Sequence, residues 1–144
     1  MSTTQPIRSK QLLHDFKEYY LTKQSNSRNY TLILIGLNTA LRINDILHLT
    51  WGDVYCTEHS RFYTHLLITE KKTEKETRIL INRELQETLL SYRKTQPSIA
   101  DTDYLFPSPR KTSSPLSRYQ AYRIVRKAAE AVGIEDGIGC HSLL

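Results

Sequence analysis

Cysteine is nearly absent from the 144 residues: Cys56 and Cys140 are the only two, they stand far apart, and neither belongs to a CxxC pair. A disulfide-stapled secreted scaffold and a paired-cysteine zinc ribbon are thereby excluded, and a reduced, intracellular and cytoplasmic setting is expected. Long apolar runs are absent too. None approaches the roughly 18 residues that a bilayer crossing requires, and Met1–Lys10 holds no apolar stretch of the kind that directs secretion. Internal repeats and low-complexity tracts are missing, which excludes a solenoid. Glycine and proline, five of each, fall mostly between periodic segments, where they punctuate loops.

What remains is an ordinary globular composition, 39% hydrophobic and 24% charged, long enough for one domain spanning residues 1–144 with its own core. The net charge of +5 decides little by itself. Its distribution says more, because Arg110, Lys111, Arg118, Arg123, Arg126 and Lys127 follow one another with no acidic residue between 110 and 127. Such a stretch can track a phosphate backbone or form a solvated helix face.

Hydrophobic spacing predicts helices over 9–23 (Leu12, Leu13, Phe16, Tyr19, Tyr20), with Ser9 as cap, and over 28–38, where Leu32, Ile33, Leu34 and Ile35 are too crowded for a surface helix. A shorter helix over 42–48 presents Ile43, Ile46, Leu47 and Leu49 inward before Trp51-Gly52-Asp53 turns the chain. Residues 62–69 and 77–82 are rich in aromatic and β-branched types and flank a charged stretch, which predicts a β-hairpin with a polar tip. Helix resumes over 83–94 with Leu85, Leu89 and Leu90 inward. A long loop over 96–115 is read as functional or mobile. A last helix over 117–132 puts Ala121, Ile124, Val125, Ala128, Ala129 and Val132 on one face and Arg118, Arg123, Arg126 and Lys127 elsewhere, and Gly133 closes it. The fold class expected is α+β, mainly helical with a small antiparallel sheet.

The segment TALRINDILHLTWGDV, Thr39–Val54, resembles the first signature box of the tyrosine recombinases, or phage integrases. Two further pieces follow in that family's order: the charged hairpin with Lys71-Lys72-Thr73, and the stretch from YLFPSPR through PLSRYQAYRIVRKAA to His141-Ser142-Leu143. The resemblance covers nearly the whole chain and implies the front part of a recombinase catalytic domain. It implies a reaction in which a tyrosine attacks a DNA phosphodiester, forming a 3′-phosphotyrosyl link and releasing a 5′-hydroxyl, with no metal and no cofactor. Such chemistry accumulates charge on the nonbridging phosphate oxygens, so fixed cationic donors do much of the work. The resemblance makes Arg42 one such donor, Asp45 its orienting partner, Lys72 the general acid (with Lys71 and Lys75 as neighbouring alternatives), and His141 a phosphate donor. It also implies double-stranded DNA as partner, contacted by Lys71, Arg118, Arg123 and Lys127, and other recombinase protomers as further partners.

The match is incomplete. The family's histidine box needs an arginine three residues on, where Leu144 stands, and the nucleophilic tyrosine lies later still. All nine tyrosines precede His141, and none, Tyr122 included, sits at the nucleophile's place. The family's N-terminal DNA-clamping domain is not expected within these residues either. The expectation is a DNA-binding fragment that is catalytically incomplete alone. Two other readings stay open: a small helical DNA-binding regulator that uses Arg118–Lys127 as its recognition helix, and a remnant that pairs with an intact recombinase.

Overall fold

The computed structural model describes residues 10–69 and 73–134. Its order is α1 (Lys10–Glu18), a π-helical turn (Tyr19–Lys23), α2 (Ser27–Thr39), α3 (Ile43–Leu47), α4 (Trp51–Val54), β1 (Tyr55–Cys56), β2 (Arg61–Phe62), β3 (His65–Thr69), β4 (Glu76–Leu80), α5 (Arg83–Lys94) and α6 (Arg118–Ala131). The α+β class expected from the sequence is the one observed.

Helix α2 is the central element. Leu32, Ile33, Leu34 and Ile35 are all buried, because α1, α3, α5 and the π turn surround the helix and leave it almost no solvent face. Each longer helix from α2 onward starts on a side-chain cap that satisfies an otherwise orphaned backbone donor. Asn26 accepts from the Asn29 amide at 2.9 Å, Asn82 from the Leu85 amide at 2.9 Å, and Ser117 from the Gln120 amide at 3.1 Å. Gln120 reaches back to the Ser117 amide to complete a capping box. Gly133, at φ +86°, ends the last helix in the left-handed conformation that glycine adopts without steric cost.

Two antiparallel pairs form separate sheets, β1 with β2 and β3 with β4. The second runs in the register His65↔Leu80, Leu67↔Arg78 and Thr69↔Glu76, which turns Leu66 into the core and leaves Leu67 and Leu80 each 57% exposed. No helix among the described residues is long and apolar enough to cross a membrane.

Several local details differ from the periodicity reading. The first helix changes to π geometry at Tyr19, a register shift that carries the Tyr20 hydroxyl to the Ile124 carbonyl of α6 at 2.7 Å. The turn at Trp51-Gly52-Asp53 is a helical one, Trp51–Val54, and starts on a Thr50–Asp53 capping box. The short β1–β2 hairpin escapes a reading by periodicity, since strands of two residues carry no alternation. Leu90 is exposed, because residue 90 stands off the stripe formed by Leu85, Leu89 and Tyr92. The loop over 96–115 is inlaid in the core: Leu105 and Phe106 are buried, the Leu105 amide donates to the Leu49 carbonyl at 2.9 Å, and the Tyr92 hydroxyl donates to the Leu105 carbonyl.

Candidate nucleic-acid interface

Helix α2 ends on Ala40, at φ +56°, a left-handed conformation that is strained for any residue with a β-carbon. The Thr39 hydroxyl donates to the Ile35 carbonyl at 2.7 Å and so holds the helix end while the chain turns. Leu41 and Ile43, both buried, then anchor the turn on either side of Arg42, so the intervening side chain must face solvent. Arg42 occupies the N-cap position of α3 in extended backbone geometry, exposed, with no side-chain hydrogen bond or ion pair to a described residue. Asp45 lies in the first turn of the same helix, half-buried, and no hydrogen bond or ion pair joins it to Arg42. Its carboxylate there complements the positive end of the helix dipole.

A second tie fixes this turn relative to the hairpin. The Asn82 side-chain amide donates to the Asn38 side-chain oxygen at 2.7 Å, while Asn38 itself donates to the Leu34 carbonyl at 2.9 Å. Asn82 lies two residues past the end of β4 and also caps α5. One side chain therefore links the base of the hairpin, the start of α5 and the end of α2. Lys71 and Lys72, between the paired ends Thr69 and Glu76, lie outside the described residues, as does His141. Lys75, the neighbouring alternative, is exposed.

Helix α6 leans on α3 and on the π turn. Alanines at 121, 128 and 129 are buried there, and their small size lets the helix approach closely. The opposite side is cationic, with Arg118, Arg123, Arg126 and Lys127 all exposed. Two arginines are held along the surface by tyrosines one turn away: the Arg118 Nη2 donates to the Tyr122 hydroxyl at 3.2 Å, and the Arg123 guanidinium lies 5.8 Å from the Tyr119 ring centre. A cation–ring pairing of this kind contributes about 0.5–1 kcal/mol at an exposed site, enough to bias a side chain without immobilising it. Tyr119, 70% exposed, shares this face and did not stand out in the sequence. The spacing that puts Tyr119 four residues from Arg123 was the available signal.

Of the sequence-predicted residues, the structure places Arg42 and Asp45 on one turn and Arg118, Arg123 and Lys127 on the helix that packs beside α3. Of the three catalytic candidates, Lys72 and His141 lie outside the described residues. No group of three or more His, Cys, Asp or Glu side chains among the described residues could hold a metal ion.

Comparison with known proteins returns one consistent family. Residues 5–143 match the model of the phage integrase family. A protein of Bacillus subtilis (strain 168) described as a probable integrase/recombinase, YoeC, is 44% identical over 143 residues, covering 99% of this chain and 72% of that protein. Among solved structures, the XerA recombinase is similar at TM-score 0.74 and 22% identity, over 98% of this chain and 48% of that one. A lambda integrase (75–356) dimer bound to a COC′ core site is similar at TM-score 0.68 and 17% identity, over 99% of this chain and 50% of that one. The chain thus spans about half the length of these two solved structures.

Proposed function

Since the chain belongs to the phage integrase family, as its match over residues 5–143 and its 44% identity to the Bacillus subtilis relative show, we propose that it binds double-stranded DNA as part of a site-specific tyrosine recombinase. One observation carries the reading. Arg42 stands exposed and without an ionic partner among the described residues, on a turn anchored by buried neighbours, beside a helix whose solvent side is cationic. An arginine fork held this way can contact two oxygens of one phosphate, which a lysine cannot copy.

In this reading Arg42 stabilises charge on the nonbridging oxygens of the scissile phosphate, and Lys72 protonates the departing 5′-oxygen. His141 donates to the same phosphate, and α6 grips the neighbouring backbone through Arg118, Arg123 and Lys127. Asp45 supports Arg42 through the field of the helix start rather than through a bond. Other protomers of a recombinase are the proposed protein partners. Residues 1–144 offer no tyrosine at the nucleophile's place, so by themselves they bind without cleaving.

A nicked suicide duplex tests the reading. Residues 1–144 should retain the duplex in a mobility-shift assay and form no covalent adduct. Binding that survives Arg42→Ala but is abolished by combined Arg123→Ala and Lys127→Ala would favour a plain DNA-binding regulator. A covalent adduct would show that one of the tyrosines present acts as nucleophile.

A further inference from the structure

The start of α2 contributes a cation that the sequence alone does not single out. Arg28 lies in the first turn of that helix, half-buried. Its Nε donates to the side-chain oxygen of Asn29 at 2.9 Å, and Asn29, itself 7% exposed, is held by the Asn26 cap. The guanidinium is therefore fixed on one edge while its terminal nitrogens meet no carboxylate among the described residues, where the ion pairs are Lys17–Glu84 and Arg83–Glu87. A half-buried cation without an anionic partner is costly unless something supplies one.

The surroundings indicate what does. Arg28 lines a groove of about 710 Å³ whose opposite wall is α6, with Arg123, Arg126 and Lys127. It also lines a second opening of about 470 Å³, which continues past Pro109 towards Thr112. The two openings share Asn26, Arg28 and Pro109 and so adjoin at Arg28. Cations project from both sides, and among the described residues Glu130 is the one acid on their lining. The larger opening is a channel between α2 and α6 that carries Arg28, Arg123, Arg126 and Lys127, and several cations along one channel suit an extended polyanion better than a compact one.

We propose that the sugar-phosphate backbone of one DNA strand runs through this channel, contacted by Arg28 from the α2 side and by Arg123 and Lys127 from the α6 side. The proposal rests on the DNA-binding reading above and adds to it a second wall, so that the backbone is held between two elements rather than laid on one helix.

The test is the salt dependence of binding to a mixed-sequence duplex, measured by fluorescence anisotropy on residues 1–144. Removing one cation from a phosphate lowers the slope of log K against log salt by about 0.9. Arg28→Ala should lower it by about that amount, Arg28→Lys should largely keep it, and Arg83→Ala, outside the channel, should leave it unchanged. If Arg28→Ala does not fold by circular dichroism, Arg28→Gln, which can keep a donor towards Asn29, takes its place with the same expected decrease. An unchanged slope in the folded Arg28 variant, while Arg123→Ala and Lys127→Ala each lower it, overturns the second wall alone. Absence of binding by the unsubstituted protein overturns the DNA-binding reading and this inference together.

Discussion

The Arg42 turn and helix α6 present charge to solvent by opposite means. At the turn a single cation stands on a fixed backbone: a left-handed Ala40, buried Leu41 and Ile43 on either side, and the Asn38–Asn82 amide pair at its base. On α6 the charge is spread over four exposed cations, and loose ring and hydroxyl contacts guide two of them. On the proposed function, the difference suits two tasks. Stabilising a transition state needs a donor within a few tenths of an ångström of its place, whereas holding a backbone needs a sum of screened attractions that tolerates movement. Substitutions of the residues that anchor the turn should therefore act through structure, and those of Arg42 itself and of the α6 cations through charge.

The largest test of that contrast lies under the turn. Ile46, fully buried on α3, should cost about 2–5 kcal/mol of unfolding free energy when cut to alanine, read by urea denaturation. An effect as small as that of an α6 surface substitution would break the comparison. A smaller decrease, about 1–2 kcal/mol, is expected for Asn82→Ala, which removes the α5 cap and the tie to Asn38 together. If stability falls by that amount while DNA affinity stays the same, the tie supports the fold without aiming the turn.

The smallest effect concerns how α6 is held. Burial pushes the Tyr20 and Tyr92 hydroxyls up to about 12 from an ordinary value of 10, since ionising either would strand a charge in the core. The folded state then holds these protons more tightly than the unfolded chain, so the stabilisation is complete below pH 10 and is lost as pH rises towards 12. Tyr20→Phe should lower stability near neutrality by about 0.5–1.5 kcal/mol, the worth of the bond to the Ile124 carbonyl. It should also flatten the alkaline decline in the melting temperature. An unaltered decline would mean that Tyr20 is not the group that titrates.

Much of this architecture was legible in advance because local signals agreed with tertiary packing. The apolar stripes of α5 and α6 predicted their bounds to within a residue, and the crowded run in α2 announced a buried helix. The π turn and the inlaid loop were not legible, since their stabilising partners, Ile124 and Leu49, come from distant segments, and the two-residue strands of the β1–β2 pair are too short to carry an alternation. The site divided the same way. Arg42 stood out through its surrounding motif, and the α6 cations through the lack of acids near them. Arg28, a single cation in a polar turn, gains meaning only when folding sets it across from α6.

The central claim is that Arg42 and α6 face one DNA backbone. Its most direct test is duplex binding across a salt series for Arg42→Ala, for Arg123→Ala with Lys127→Ala, and for all three substitutions together. The account predicts that the slope falls by about 0.9 for Arg42, by about twice that for the pair, and by their sum for the triple variant. A triple variant no different from the pair, with Arg42→Ala alone indistinguishable from the unsubstituted protein, would contradict it.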